Sequence, residues 1–382
     1  MSKWGVLAAA MGLSWSIAST AQTPFVTEQV TTASGIGPGP HLYVLGDQRI
    51  HIINPVDFKY QGQISTGGAA KFAFSADGST IYISNSYYAR GWTGAREDVL
   101  QTYDVESLTA KNELQVTQKV AMGGAGGKAL SPLSADGRWM FLQNATPATS
   151  VTVVDVAAQR VTGEIPTPGC WGIYPSRANA LRFTSLCGDG KLATYTLNAS
   201  GSEATAALSE KVFDVDADPL FVDAERDGDT LMFMSFHGNV YQVAVDGSAA
   251  KLIRKFPTTE GIEGNWAPGG NQVLAYLPDN GVLYVLMHGK AYDGSHTDAS
   301  GEVWAIDMKR RALLSRSTIR PVKAIFVTGG ATPMLYAYQS EKKDSGLDAG
   351  VVRYSINKTA AFTVREDAFK KLASARPRLE IH

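Results

Sequence analysis

The feature that most constrains this chain is a repeat of about fifty residues. An alternating strand that ends in an acidic or amide residue and runs into a short polar turn occurs seven times. The copies are Ile50–Asn54, Leu100–Asp104, Val151–Asp155, Leu192–Asn198, Val240–Asp246, Val303–Asp307 and Val352–Asn357, and their end residues are spaced 50, 51, 43, 48, 61 and 50 apart. A second phrase, an Asp-Gly turn followed by an apolar strand, sits at Phe74–Ser84 and Leu133–Gln143, with looser copies at Ala224–Met234 and Leu277–Leu286. Strand, tight glycine turn, strand is the signature of a β-hairpin. Self-similarity at this period with four short strands per unit predicts an all-β chain, a seven-bladed β-propeller with four-stranded antiparallel blades. A parallel β-helix needs much shorter coils, and separate β-sandwiches would not keep one strand phrase in register along the whole chain.

Composition agrees. Glycine is abundant at 38 of 382 residues and only 19% are charged, as tight turns and sheets buried on both faces require. The net charge of −1 leaves no electrostatic footprint for nucleic acid or an anionic membrane. The first repeat has three clear strands (42–45, 50–53 and 60–64) where the others have four, and the strand-like Arg378–His382 is positioned to complete it, covering an exposed edge. The expected organisation is a signal peptide over 1–21, an irregular Thr-, Gly- and Pro-rich arm over 22–41, and the propeller over 42–382.

Lys3, the apolar run Trp4–Ile17, and the small residues Ser19 and Ala21 read as a secretory signal cleaved after Ala21. A membrane anchor needs about 20 apolar residues, which the run does not reach. The expected location is therefore the periplasm. In an oxidising compartment Cys170 and Cys187, the only two cysteines, read as one structural disulfide.

No catalytic constellation stands out. The six histidines lack metal-ligand spacing, and no Gly-x-Ser-x-Gly elbow occurs. Met122–Ala129 is a glycine-rich loop carrying Lys128 without phosphate-loop spacing, and reads as a connection between blades. Asp214, Asp216 and Asp218 lack the glycine and distal glutamate of a calcium loop, which leaves an acidic surface loop. The most unusual segment is Asn85–Asp98, which interrupts a hairpin with Tyr87, Tyr88, Arg90, Trp92 and Arg96. These residue types are enriched in interface cores, so the loop reads either as a binding surface or as a long loop packed on its own scaffold. A second candidate is Asn265–Gly270 with the insertion His288–His296, which accounts for the 61-residue interval. From the residues alone the chain is an exported propeller, a scaffold or binding protein.

The phrases Leu142–Ser150 with Val153–Asp155, Gly169–Trp171, Cys187–Gly190, Gly238–Tyr241, Asn265–Gly270 and Glu302–Asp307, in that order and spacing, are similar to the heavy subunit of the quinone-cofactor amine dehydrogenases, the aralkylamine (aromatic amine) form above all. The resemblance implies a heterotetramer of two heavy and two small cysteine-rich light subunits. It places tryptophan tryptophylquinone in the light subunit and none in this chain. It further implies a primary amine substrate, oxidised to aldehyde and ammonia, and a blue copper protein as electron acceptor. It makes Tyr88 the best candidate for lining a substrate channel, with Tyr87, Arg90, Trp92 and Arg96 around it, and no metal or catalytic residue here. Gly91-Trp92-Thr93 departs from the more basic, aliphatic stretch expected at that position. The alternative is a stand-alone exported propeller that binds another partner.

Overall fold

The computed structural model describes residues 35–122, 127–340, 347–372 and 378–382; the signal peptide expected over 1–21 and the part of the expected arm over 22–34 lie outside the described residues. Seven antiparallel sheets follow one another along the chain, which is the expected seven-bladed propeller. The two repeated phrases are its turns. In Phe74–Ser84, Asp77 accepts hydrogen bonds from the Ser75 hydroxyl (2.5 Å) and the Ser79 amide (3.1 Å), while Gly78 takes φ +71°. The equivalent turn in the next blade repeats this, with Asp136 accepting from Ser134 (2.5 Å) and from the Arg138 amide (3.1 Å). Those hydrogen bonds hold the Asp77 carboxyl at about 2, below the usual carboxylate range.

The residue ending the other phrase caps the next turn. Asn54 accepts from Val56 N, Asp104 from Ser107 N, Asp155 from Ala158 N, Asn198 from Ser202 N, Asp307 from Arg310 N and Asn357 from Thr359 N. An Asx side chain satisfying backbone amides is the physical reason one residue type recurs at that spacing. The seventh, Asp246, instead accepts from the Arg177 amide of the preceding blade.

Two blades depart from the four-strand pattern. Blade 3 has three regular strands, Trp139–Asn144, Ser150–Asp155 and Arg160–Pro166, with only the bridges Val120↔Asn144 and Leu133↔Met140 where its inner strand would run. Blade 6 has five, because Ala267–Pro268 and Leu274–Leu277 both pair with Val282–His288. The ring closes as the sequence predicts: Leu379–Ile381 is the inner strand of blade 1, with Leu42↔Ile381 and Val44↔Leu379 in register.

The core lies between blades. Central strands such as Trp139–Asn144 and Val282–His288 are buried along their whole length, whereas outer strands such as Lys251–Pro257 are mostly exposed. Each Val, Leu, Ile or Phe so enclosed contributes roughly 1.5–3 kcal/mol. One apolar cluster joins blades 5, 6 and 7, and another joins blades 1 and 2. Cys170 and Cys187 face each other across the first two strands of blade 4 and form the expected disulfide.

Strand parity sorts the connections to two ends of the ring. The Asp-Gly turns lie at one, the turn end. The connections between second and third strands, and those between blades, lie at the other, the crossover end.

Candidate partner-binding site at the crossover end

The aromatic loop is the second-to-third-strand connection of blade 2. Strands Thr80–Tyr88 and Arg96–Asp104 stay paired to their tips, with Tyr88↔Arg96 the last pair, so residues 89–95 project beyond the sheet. The excursion is closed by Ala89 N to Ala95 O (3.0 Å) and Arg90 N to Thr93 O (3.0 Å), with Gly91 and Gly94 at positive φ.

The five residues singled out in the sequence separate into two groups. Trp92 is 66% exposed, with its ring edge over Gly68, where an added Cβ would stand 3.3 Å away. Arg90 and Tyr87 are also exposed, the Tyr87 hydroxyl donating to Gln101 Oε1 at 3.2 Å. Partial burial raises the Tyr87 pKa above its usual value, so the phenol stays protonated at neutral pH. These three form the outward surface. Tyr88 and Arg96 instead anchor the loop. The Tyr88 hydroxyl meets Met122 Sδ at 3.1 Å, and Arg96 forks onto Asp98 through Nε and Nη2, both at 2.8 Å. Arg96 also donates to Val120 O (2.5 Å), and Asp98 accepts from Val120 N (3.0 Å), tying blade 2 to the segment entering blade 3.

Sequence reasoning passed over Asp98, which is fully buried and organises this base, and Lys71, which is 5% exposed on the inner strand Gly68–Phe74. The Lys71 ammonium donates to the carbonyls of Ala69 and Ala121, and burial pulls its pKa down to about 8. For Lys71 the available signal was a lone charge inside the otherwise apolar strand Gly68–Phe74; Asp98, among the charges of Arg96–Asp104, carried no such signal.

The second candidate segment assembles at the same end. Asn265 Nδ2 donates to Ala291 O (2.7 Å) and Ala291 N to Asn265 O (3.0 Å), so the inter-blade connection and the insertion form one unit, with Tyr292 62% exposed. The other motifs are structural. Asp214 caps its own turn by accepting from Asp216 N and Ala217 N, while Asp218 accepts from His237 N and Asn239 Nδ2. Asp218 is thus a buried brace within the acidic loop. Lys128 lies on the 3-10 turn Gly127–Leu130 and pairs with Glu225 at 2.6 Å. Trp139, Trp266 and Trp304 are packing residues of the blades. Trp266 and Trp304 stand 5.4 Å apart with the Arg316 guanidinium stacked over both.

Fold and site together define a seven-bladed propeller that presents a rigidly based aromatic loop at one end. Among the described residues, no group of three or more His, Cys, Asp or Glu could hold a metal, and no helix is long and apolar enough to cross a membrane. The chain belongs to the methylamine dehydrogenase heavy chain family, which it matches over residues 39–351. It is 26% identical over 340 residues to the methylamine dehydrogenase heavy chain of Methylobacillus flagellatus, covering 86% of this chain and 84% of that one. It is 24% identical over 360 residues to that of Methylophilus methylotrophus, covering 89% and 87%. Among solved structures, dihydro-heme d1 dehydrogenase NirN in complex with DHE superposes with a TM-score of 0.57 at 14% identity, covering 87% of this chain and 63% of that one. That likeness concerns the fold alone.

Proposed function

We propose that this chain is the non-catalytic heavy subunit of a periplasmic amine dehydrogenase, which scaffolds a small light subunit and helps to shape the path of the amine to it. The observation that carries the reading is family membership over nearly the whole propeller, together with an exposed aromatic loop on a buried ion-paired base. Heavy-chain membership implies a light chain. In this reading tryptophan tryptophylquinone, carried by that partner, supplies the oxidation of a primary amine to aldehyde and ammonia, and the electrons leave to a blue copper protein. The contribution of this chain is positional. Asp98 and Arg96 hold the loop, Trp92, Tyr87 and Arg90 meet the light subunit, and Tyr88 borders the approach of substrate. A tyrosine ring beside that approach attracts an aromatic ring more than a methyl group, which supports an aromatic amine as the substrate.

The test is co-expression with a short exported, cysteine-rich reading frame sought beside this gene. The expected result is a coloured complex that oxidises a primary aromatic amine and reduces a blue copper protein. A propeller that purifies alone and acquires no amine-oxidising activity with any such partner refutes it in favour of a stand-alone binding propeller. Trp92→Ser is expected to leave the melting temperature of the heavy chain unchanged while weakening light-subunit binding about tenfold or more, as loss of an exposed aromatic anchor does.

A further inference from the structure

At the turn end, away from the aromatic loop, the mouth of the central channel opens into a cavity of about 440 Å³ bounded by the inner edges of blades 1 to 5. That size suits a small organic molecule. Four cationic side chains line it, Lys128, Arg177, Arg226 and Arg378, against two carboxylates, Glu225 and Glu380. Most of this charge is already spent. Lys128 is held by Glu225 (2.6 Å) and Asp223 (3.8 Å), and Arg226 by Pro175 O (2.8 Å) and Asp246 (3.7 Å).

Arg226 Nη1 lacks a hydrogen-bond acceptor among the described residues, and Arg378 has two such nitrogens. Arg378 is 5% exposed and stacks on the Phe72 ring at 4.1 Å. Its Nη2 donates to Phe72 O and to Glu380 (3.2 Å), but Nε and Nη1 have no acceptor among the described residues. A buried guanidinium with unspent donors strongly favours an added acceptor, since each unmade bond to a charged group is expensive in a low-dielectric site. The rest of the wall is apolar, with Phe74, Ile173 and Leu231 among its residues.

We propose that this channel mouth binds a small organic carboxylate, its charged end taken by Arg378 and its apolar body lying against the aromatic and aliphatic wall. A dianion such as phosphate is disfavoured, because Glu225 and Glu380 share the wall. An amine is disfavoured at Arg378, whose unspent groups are donors that an ammonium cannot satisfy. The site does not depend on the amine dehydrogenase reading, since it lies at the opposite end of the ring from the aromatic loop and uses none of its residues.

The experiment is isothermal titration of the full chain with benzoate, with its uncharged counterpart benzyl alcohol, and with inorganic phosphate. Saturable binding of benzoate at one site per chain is expected, with neither of the other two competing. Arg378→Lys, which keeps the charge but loses the planar donor array, is expected to weaken benzoate about tenfold or more. Because Arg378 also ties the closing strand to blade 2, a second variant protects the test. Ala135→Trp, at an exposed residue of the rim, fills the mouth and is expected to abolish binding without changing the melting temperature. Absence of saturable benzoate binding, equal affinity for benzyl alcohol, tighter binding of phosphate, or unchanged benzoate binding in Ala135→Trp would each overturn the proposal.

Discussion

Removing the Asp98 carboxylate isolates the base of the aromatic loop. Asp98→Ala leaves two groups without their partner: the Arg96 guanidinium, which loses both of its 2.8 Å bonds, and the Val120 amide, which loses its 3.0 Å acceptor. Breaking a buried pair from one side costs about 3–5 kcal/mol. The Asp98 side chain is fully buried, but that of Arg96 is 20% exposed, so water recovers part of the loss and the lower end, about 3 kcal/mol, applies. The propeller unit Gly35–His382 spans about 350 residues, for which an unfolding entropy near 2.1 cal/mol/K per residue gives roughly 0.7 kcal/mol/K. The expected fall in melting temperature is therefore about 4 °C, measured by circular dichroism on wild type and variant at one scan rate. A cycle with Arg96→Ala supplies the second readout. If the pair acts as a unit, the double variant falls little further than Asp98→Ala, with a coupling of at least about 1 kcal/mol. A shift under about 1 °C, or additive single effects, would refute the account of how the loop is held.

Two further expectations concern stability. Replacing both cysteines by serine removes a crosslink that closes a 17-residue interval, and is expected to lower stability by about 3 kcal/mol in urea unfolding. The Lys71 pKa is lowered to about 8 in the folded chain from 10.5, so between those values the unfolded chain binds more protons and stability rises with pH. In urea titrations the wild type should gain on Lys71→Met on the order of 2 kcal/mol from pH about 8 to about 10, and a constant gap between the two would show that the buried ammonium is not the cause.

What could be read from the linear chain was whatever recurs. Asn54, Asp104 and Asp155 announce turns because an Asx side chain caps amides two or three residues on, a local interaction written in consecutive residues. Asp77 and Asp136 with their glycines do the same for the inner hairpins. The loop was legible as an interruption of this pattern over 85–98, but its flanks 85–88 and 96–98 are paired strand and only 89–95 leave the sheet. Its internal division was not legible. Nothing in consecutive residues separates Arg90, which is exposed, from Arg96, which is pinned to Asp98 and to Val120 some twenty residues away. The irregular inner edge of blade 3 and the fifth strand of blade 6 were likewise hidden, because each depends on pairing with a neighbour and not on local pattern.

The sequence by itself determined the architecture: seven units, their hairpins, the closing strand at 379–381 and the cysteine pair, all set by short-range periodicity and turn chemistry. Only the tertiary structure decided where charge goes. Lys71, Lys128, Asp223 and Arg378 are scattered over some three hundred residues, and ring closure brings their blades around one channel, where burial makes each unspent donor or acceptor consequential. A propeller's blades are specified one at a time, but its axis exists only when all seven have met.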